Sequence, residues 1–61
     1  MSSKILRLKE VMKVTGMSRS TIYRWINKGV FPKYIKLSET SSGWIEAEIH
    51  DWIQNKADER G

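Results

Sequence analysis

No cysteine occurs in the 61 residues of this chain, so neither a disulfide nor a thiolate–metal site can staple it. His50 is the sole histidine and lacks the Cys or second His that a metal site needs, so no metal is expected. Its neighbour Asp51 points to a different side of a helix, which leaves no Ser/His/acid grouping for nucleophilic chemistry. The four glycines are scattered, so there is no glycine-rich loop to cradle a phosphate. No apolar run approaches the roughly 20 residues that cross a bilayer, and no apolar signal region follows Met1–Lys4. The expectation is a cytoplasmic protein with no membrane partner, no small-molecule substrate, no cofactor and no enzymatic activity.

Acidic residues are nearly missing from the first 36 positions, where Glu10 stands alone against nine Lys and Arg, a balance of +8. The remaining positions carry six acids and two bases, a balance of −4, for a net charge of +4. A basic first half followed by an acidic last segment points to one face made for polyanions.

What the chain does contain is 39% hydrophobic residues, three tryptophans and two tyrosines, which is too apolar for a disordered segment. Its length allows one domain with a thin core, and the indoles supply volume that length denies. A short apolar run, Ile5-Leu6-Arg7-Leu8, suits a β-stub or a lead-in to a helix. From Leu8 the pattern is helical: Leu8, Val11, Met12 and Thr15 share one stripe, with Lys9 and Lys13 on another face. Gly16 ends that helix because glycine tolerates a left-handed backbone. Ser18 can accept a hydrogen bond from a free N–H in the first turn of a second helix, about Arg19–Lys28. Gly29 stops that helix and Pro32 forbids its continuation.

At 100° per residue, Ile22, Trp25 and Ile26 fall on one arc of the second helix. Arg19, Ser20, Tyr23, Arg24 and Asn27 fall on the opposing arc, about 140° wide and free of acid. Tyr34–Leu37 is expected to be a strand, Ser38–Gly43 a turn-rich connector, and Gly43–Ile45 a returning strand. A third helix is expected over about Glu46–Lys56. Ile45, Ile49, Trp52 and Ile53 form its apolar stripe, with Glu46 and Glu48 in its first turn and Lys56 in its last, as the helix dipole favours. Trp25, Trp44 and Trp52 are read as core rather than as base-stacking rings, since Trp44 and Trp52 have acidic neighbours.

Two short helices joined by Thr15-Gly16-Met17-Ser18 carry the pattern of a helix-turn-helix, with Met17 as the apolar residue that packs both helices together. The second helix offers chemistry suited to the major groove of duplex DNA. Arg19 and Arg24 can pair bidentately with guanine or phosphate, and Ser20 and Tyr23 stand beside them as base-reading candidates. Lys9, Lys13, Thr21, Asn27 and Lys28 are candidates for the DNA backbone. In the hairpin, Lys36 and the hydroxyls of Thr40, Ser41 and Ser42 are the groups left to bond phosphates.

Several stretches together resemble the AlpA family of small phage and prophage regulators. They are Leu6-Arg7-Leu8-Lys9-Glu10-Val11, the run from Thr15 to Arg24 (Thr-Gly-Met-Ser-Arg-Ser-Thr-Ile-Tyr-Arg), Gly29-Val30-Phe31-Pro32, Lys36-Leu37, and Gly43-Trp44-Ile45-Glu46-Ala47-Glu48-Ile49 with Trp52-Ile53. The likeness covers roughly residues 5–56. It implies a mainly α fold of the MerR and excisionase type: a winged helix-turn-helix, three helices with a two-stranded β-hairpin wing. It implies that the second helix enters the major groove and that the Tyr34–Ile45 hairpin leans on the backbone or minor groove. It also implies control of a prophage or integrated element, by transcription (of an integrase gene, for instance) or by directing excision. The chain departs from the pattern at Tyr34, where the family often has proline, and at Thr40, where it often has arginine. The wing tip, Ser38–Ser42, therefore carries one acid and no base.

The domain is expected to span 4–57, with flexible tails at 1–3 and 58–61. Double-stranded DNA is the expected partner, on the nucleoid, with a recombinase or integrase, or a further copy on an adjacent site, as additional partners. The rival expectation is a protein-interaction module that docks on a recombinase, polymerase or response regulator through its acidic third helix and tail (Glu46, Glu48, Asp51, Asp58 and Glu59).

Overall fold

In a computed structural model, residues 4–60 are described, and the expected tail residues Met1–Ser3 and Gly61 lie outside them. The element order is β1 (Ile5–Leu6), α1 (Leu8–Thr15), α2 (Arg19–Asn27), β2 (Ile35–Lys36), β3 (Ser42–Ile45) and α3 (Glu46–Glu59). This is a mainly α winged helix-turn-helix. Its sheet differs from a two-stranded wing in one respect. The stub at Ile5–Leu6 pairs antiparallel with β3, Ile5 opposite Ile45 and Leu6 opposite Trp44, so the sheet order is β1-β3-β2. The wing proper pairs Ile35 with Gly43 and Lys36 with Ser42.

The ends of α1 and α2 have local causes. The Arg7 N–H that precedes α1 donates to the Glu10 carboxylate at 2.9 Å, as an acid in the first turn should permit. Gly16 sits at φ +72° beyond the last turn, and its N–H donates to the Met12 carbonyl at 2.8 Å. The Thr15 hydroxyl donates to Val11 at 2.7 Å and accepts from the Met17 N–H at 3.2 Å, which closes the turn on itself. Ser18 accepts from the Thr21 N–H at 3.3 Å and caps α2 as the sequence predicts. At the far end of α2, Gly29 N–H donates to Ile26 and Val30 N–H to Trp25, both at 3.0 Å, with Gly29 at φ +77°. Those two bonds are the reciprocal pair of a Schellman ending.

Helix α3 runs three residues past its expected end at Lys56, to Glu59. Nothing in Ala57-Asp58-Glu59 breaks a helix, and two surface pairs continue along it: Gln54 Nε2 to Asp58 at 3.3 Å, and Lys56 to Glu59 at 3.6 Å. Asp58 and Glu59, expected in a tail, are thus helical. The first wing strand is shorter than Tyr34–Leu37: only Ile35–Lys36 pairs, and Tyr34 turns its ring to the core instead.

The core is one cluster of Leu6, Val11, Ile22, Phe31, Trp44 and Ile49, one or two from each part of the chain. Met17 packs against it from the turn, as do Leu8, Met12, Trp25, Ile26, Trp52 and Ile53. Of the three indoles expected inside, Trp44 is fully buried, whereas Trp25 and Trp52 are half-buried at the margin. With six buried side chains among the described residues, the margin carries much of the packing.

Candidate nucleic-acid interface

Burying Ile22 and tucking Trp25 and Ile26 against the core fixes the rotation of α2. The opposite arc is therefore outward by geometry: Arg19, Ser20, Tyr23, Arg24 and Asn27 are all exposed. Among the described residues the one ion pair is Lys56 with Glu59, on α3. Arg19 and Arg24 thus have no carboxylate partner there, and their guanidinium donors are open to an incoming acceptor. The first turn of α2 contains no acid to offset the positive end of its dipole.

Helix α1 adds to the same end. Lys9 and Lys13 line an open depression together with Met12, Gly16, Met17 and Ser18. Two lysines and the N-cap residue of α2 therefore line one hollow, where cationic side chains and a helix N-terminus favour an anionic oxygen. Lys28, the C-cap of α2, is also exposed, at the other end of that helix. Thr21 is placed differently from its neighbours. It is half-buried, and its hydroxyl accepts from the Ser18 hydroxyl at 2.9 Å, so it completes the cap.

Tyr23 joins α2 to the wing. Its ring meets Tyr34 edge-on with centroids 6.1 Å apart and lies 6.5 Å from Trp44, while Tyr34 meets Trp44 at 5.8 Å. Edge-to-face rings at such distances attract by about 0.5–1.5 kcal/mol per pair. Tyr34 stands where the resemblance leads one to expect proline, and this cluster is what the substitution makes possible. Tyr23 is thus both exposed at 36% and anchored, which a reading from periodicity alone did not separate.

The wing tip is held by its own backbone. Leu37 and Ser38 N–H groups both donate to the Ser41 carbonyl, at 2.8 and 3.2 Å, and the Thr40 N–H donates to Ser38 Oγ at 3.4 Å. Lys36 Nζ donates to the Glu39 carbonyl at 3.4 Å, so its ammonium folds over the tip. Thr40 is exposed, and Ser41 and Ser42 are half-buried. Lys33 is exposed in the segment leading to the wing and lines a groove with Glu48 and Asp51 of α3. Among the described residues, no three His, Cys, Asp or Glu side chains gather where they could hold a metal, and no helix is long and apolar enough to cross a membrane.

A capped helix with an outward cationic arc, a helix packed across it and a hairpin beside it define the winged helix-turn-helix class. Within that class the chain belongs to the family described as prophage CP4-57 regulatory protein (AlpA), whose model matches residues 4–57. It is 46% identical over 59 residues to the DNA-binding transcriptional activator AlpA of Escherichia coli (strain K12), covering 87% of this chain and 84% of that protein. It is also 40% identical over 53 residues to the uncharacterized protein ORF88 of Enterobacteria phage P4, covering 87% of this chain and 60% of that one.

Proposed function

We propose that this protein binds duplex DNA with sequence specificity and regulates a prophage or integrated element; its family is described as a prophage regulatory protein, and its relative in Escherichia coli as a DNA-binding transcriptional activator. The observation that carries the reading is the outward arc of α2: exposed, acid-free and without an ion-pair partner among the described residues. Arg19, Ser20 and Arg24 read base edges, with Tyr23 beside them at the junction with the wing. Lys9 and Lys13 hold a phosphate over the hollow at the α2 N-terminus, and Lys28 and Asn27 meet the backbone farther along. Thr21 contributes through the cap. Lys36, Thr40, Ser41 and Ser42 of the wing add weaker backbone contacts, since the tip has no free base.

Residues 4–57 act in this reading as one domain, working on the nucleoid in the cytoplasm. The regulated step is transcription of an element gene such as an integrase gene, or excision of the element with a recombinase as partner. A further copy on an adjacent site compensates for the small footprint of one module.

The test begins with selection of a duplex from a random-sequence library by the full chain. Arg19→Ala and Arg24→Ala should each weaken binding to the selected duplex by about 1–3 kcal/mol and relax the preference at the bases they touch. Folded variants with unchanged affinity and preference would remove the assignment. One observation favours a second reading, in which the chain docks on a basic protein surface. A groove between α3 and the segment Pro32–Ile35 is lined by the apolar Tyr34, Ile35 and Trp52 together with two acids, Glu48 and Asp51, and one base, Lys33. Failure to bind any duplex at low salt would favour it.

A further inference from the structure

The proposed interface uses α2 and the wing, and the segment that joins them is held from both and also from α3, which lies outside that interface. Two indoles grip its backbone. Trp44 Nε1 of β3 donates to the Pro32 carbonyl at 2.9 Å, and Trp52 Nε1 of α3 donates to the Val30 carbonyl at 2.8 Å. Val30 is held at both ends, because its N–H also donates to the Trp25 carbonyl at 3.0 Å within the Schellman ending. Its residue backbone is therefore tied to α2 through nitrogen and to α3 through oxygen. The Val30 side chain is 49% exposed, so packing does not fix this point; the two hydrogen bonds do.

Trp52 also touches what lies on each side of the joint. Its ring meets the buried Phe31 edge-on at 4.8 Å and the Trp25 ring of α2 at 6.0 Å. One side chain thus contacts the helix, the turn that ends it and the residue that leads on to the wing. Specific reading of a base edge depends on hydrogen-bond geometry, which weakens steeply with misalignment. Attraction to phosphates in general depends on charge and tolerates such changes. A device that sets the angle of α2 against the wing should therefore govern discrimination and leave general affinity alone.

We propose that Trp52 is a positioning residue for DNA recognition, acting from outside the interface through the Val30 carbonyl. The inference rests on the reading of α2 and the wing as one DNA-binding surface. Three variants of the full chain test it. Trp52→Phe keeps an aromatic ring and removes the N–H. Replacement of Trp52 by β-(3-benzothienyl)alanine keeps the bicyclic shape and exchanges only the N–H for sulfur. Val30→Ala removes the exposed side chain and keeps the carbonyl.

Affinities are measured for the duplex selected by the wild-type chain and for a scrambled duplex of the same composition, with folding checked by circular dichroism at the same temperature. Both Trp52 replacements should bind the selected duplex about tenfold more weakly, a loss of the size of one good base contact. Their affinity for the scrambled duplex and its salt dependence should match wild type, and Val30→Ala should behave as wild type throughout. A folded benzothienyl variant with full discrimination overturns the proposal. Equal weakening toward both duplexes overturns it as well, by marking Trp52 as merely structural. If Trp52→Phe fails to fold, the sulfur variant, which loses one hydrogen bond and no volume, decides. Selection of no duplex by the wild-type chain would sink the DNA reading itself, whereas selection followed by unaffected Trp52 variants sinks only this inference.

Discussion

Arg24 and Lys9 carry the same charge and should fail differently when removed. The Arg24 guanidinium is a planar fork on the outward arc of α2, suited to a base edge, while the Lys9 ammonium is a point charge beside the α2 N-terminus. Lys9→Ala should weaken binding to selected and scrambled duplexes alike and flatten the slope of log affinity against log salt by about 0.9. Titrations of both duplexes at several salt concentrations check this; a loss confined to the selected duplex would instead make Lys9 a base reader. At this scale the sequence was legible wherever the cause is local. Ser18 caps α2 and Gly16 turns left-handed as expected, because a cap and a turn depend on a few adjacent residues. Tyr23, Trp25 and Trp52 were legible only in part. Their partners, Tyr34 for Tyr23 and Phe31 for Trp52, come from elements that periodicity within one helix cannot bring together.

Among the elements, the three helices were readable because each has an apolar stripe and a chemical start or stop. The sheet was less so. Two residues, Ile5 and Leu6, show no period, and their partners Ile45 and Trp44 lie far along the chain. That pairing explains Gly43, which a reading of turns alone takes for a simple return of the hairpin. A Cβ at Gly43 would lie 2.5 Å from Ile5 Cγ2 and 3.0 Å from the Leu6 carbonyl oxygen, so the close approach of β1 requires its absence. Gly43→Ala should therefore cost about 1–3 kcal/mol as overpacking of a stiff β-branched neighbour. For a domain this small, each kcal/mol lowers Tm by roughly 4–8 °C. A thermal melt that matches wild type would show that β1 moves aside freely. The extension of α3 to Glu59 was not legible, since Ala57-Asp58-Glu59 signals neither a stop nor a continuation strongly.

For the molecule as a whole, the charge asymmetry of the sequence becomes a spatial one. Lys9, Lys13, Arg19 and Arg24 lie on α1 and α2 with Glu10 as the one acid beside them, while the acids Glu46, Glu48, Asp51, Asp58 and Glu59 all lie on α3. Coulomb attraction then favours one orientation toward a polyanion and disfavours the reverse. The core that holds this arrangement is small, and total stability for a chain of this length is on the order of 3–9 kcal/mol. Hydrogen bonds from the buried Trp44 and half-buried Trp52 indoles to the Val30–Pro32 backbone are therefore a sizeable part of what keeps α2 in register with the wing.

The most direct check on the central claim is the affinity of the intact chain for its selected duplex, measured from about 50 to 200 mM salt. Lys9, Lys13 and Lys28 on phosphates predict a slope of log affinity against log salt of about −2 to −3, with the scrambled duplex bound more weakly throughout. No binding at the lowest salt, or binding that ignores salt, would contradict the account.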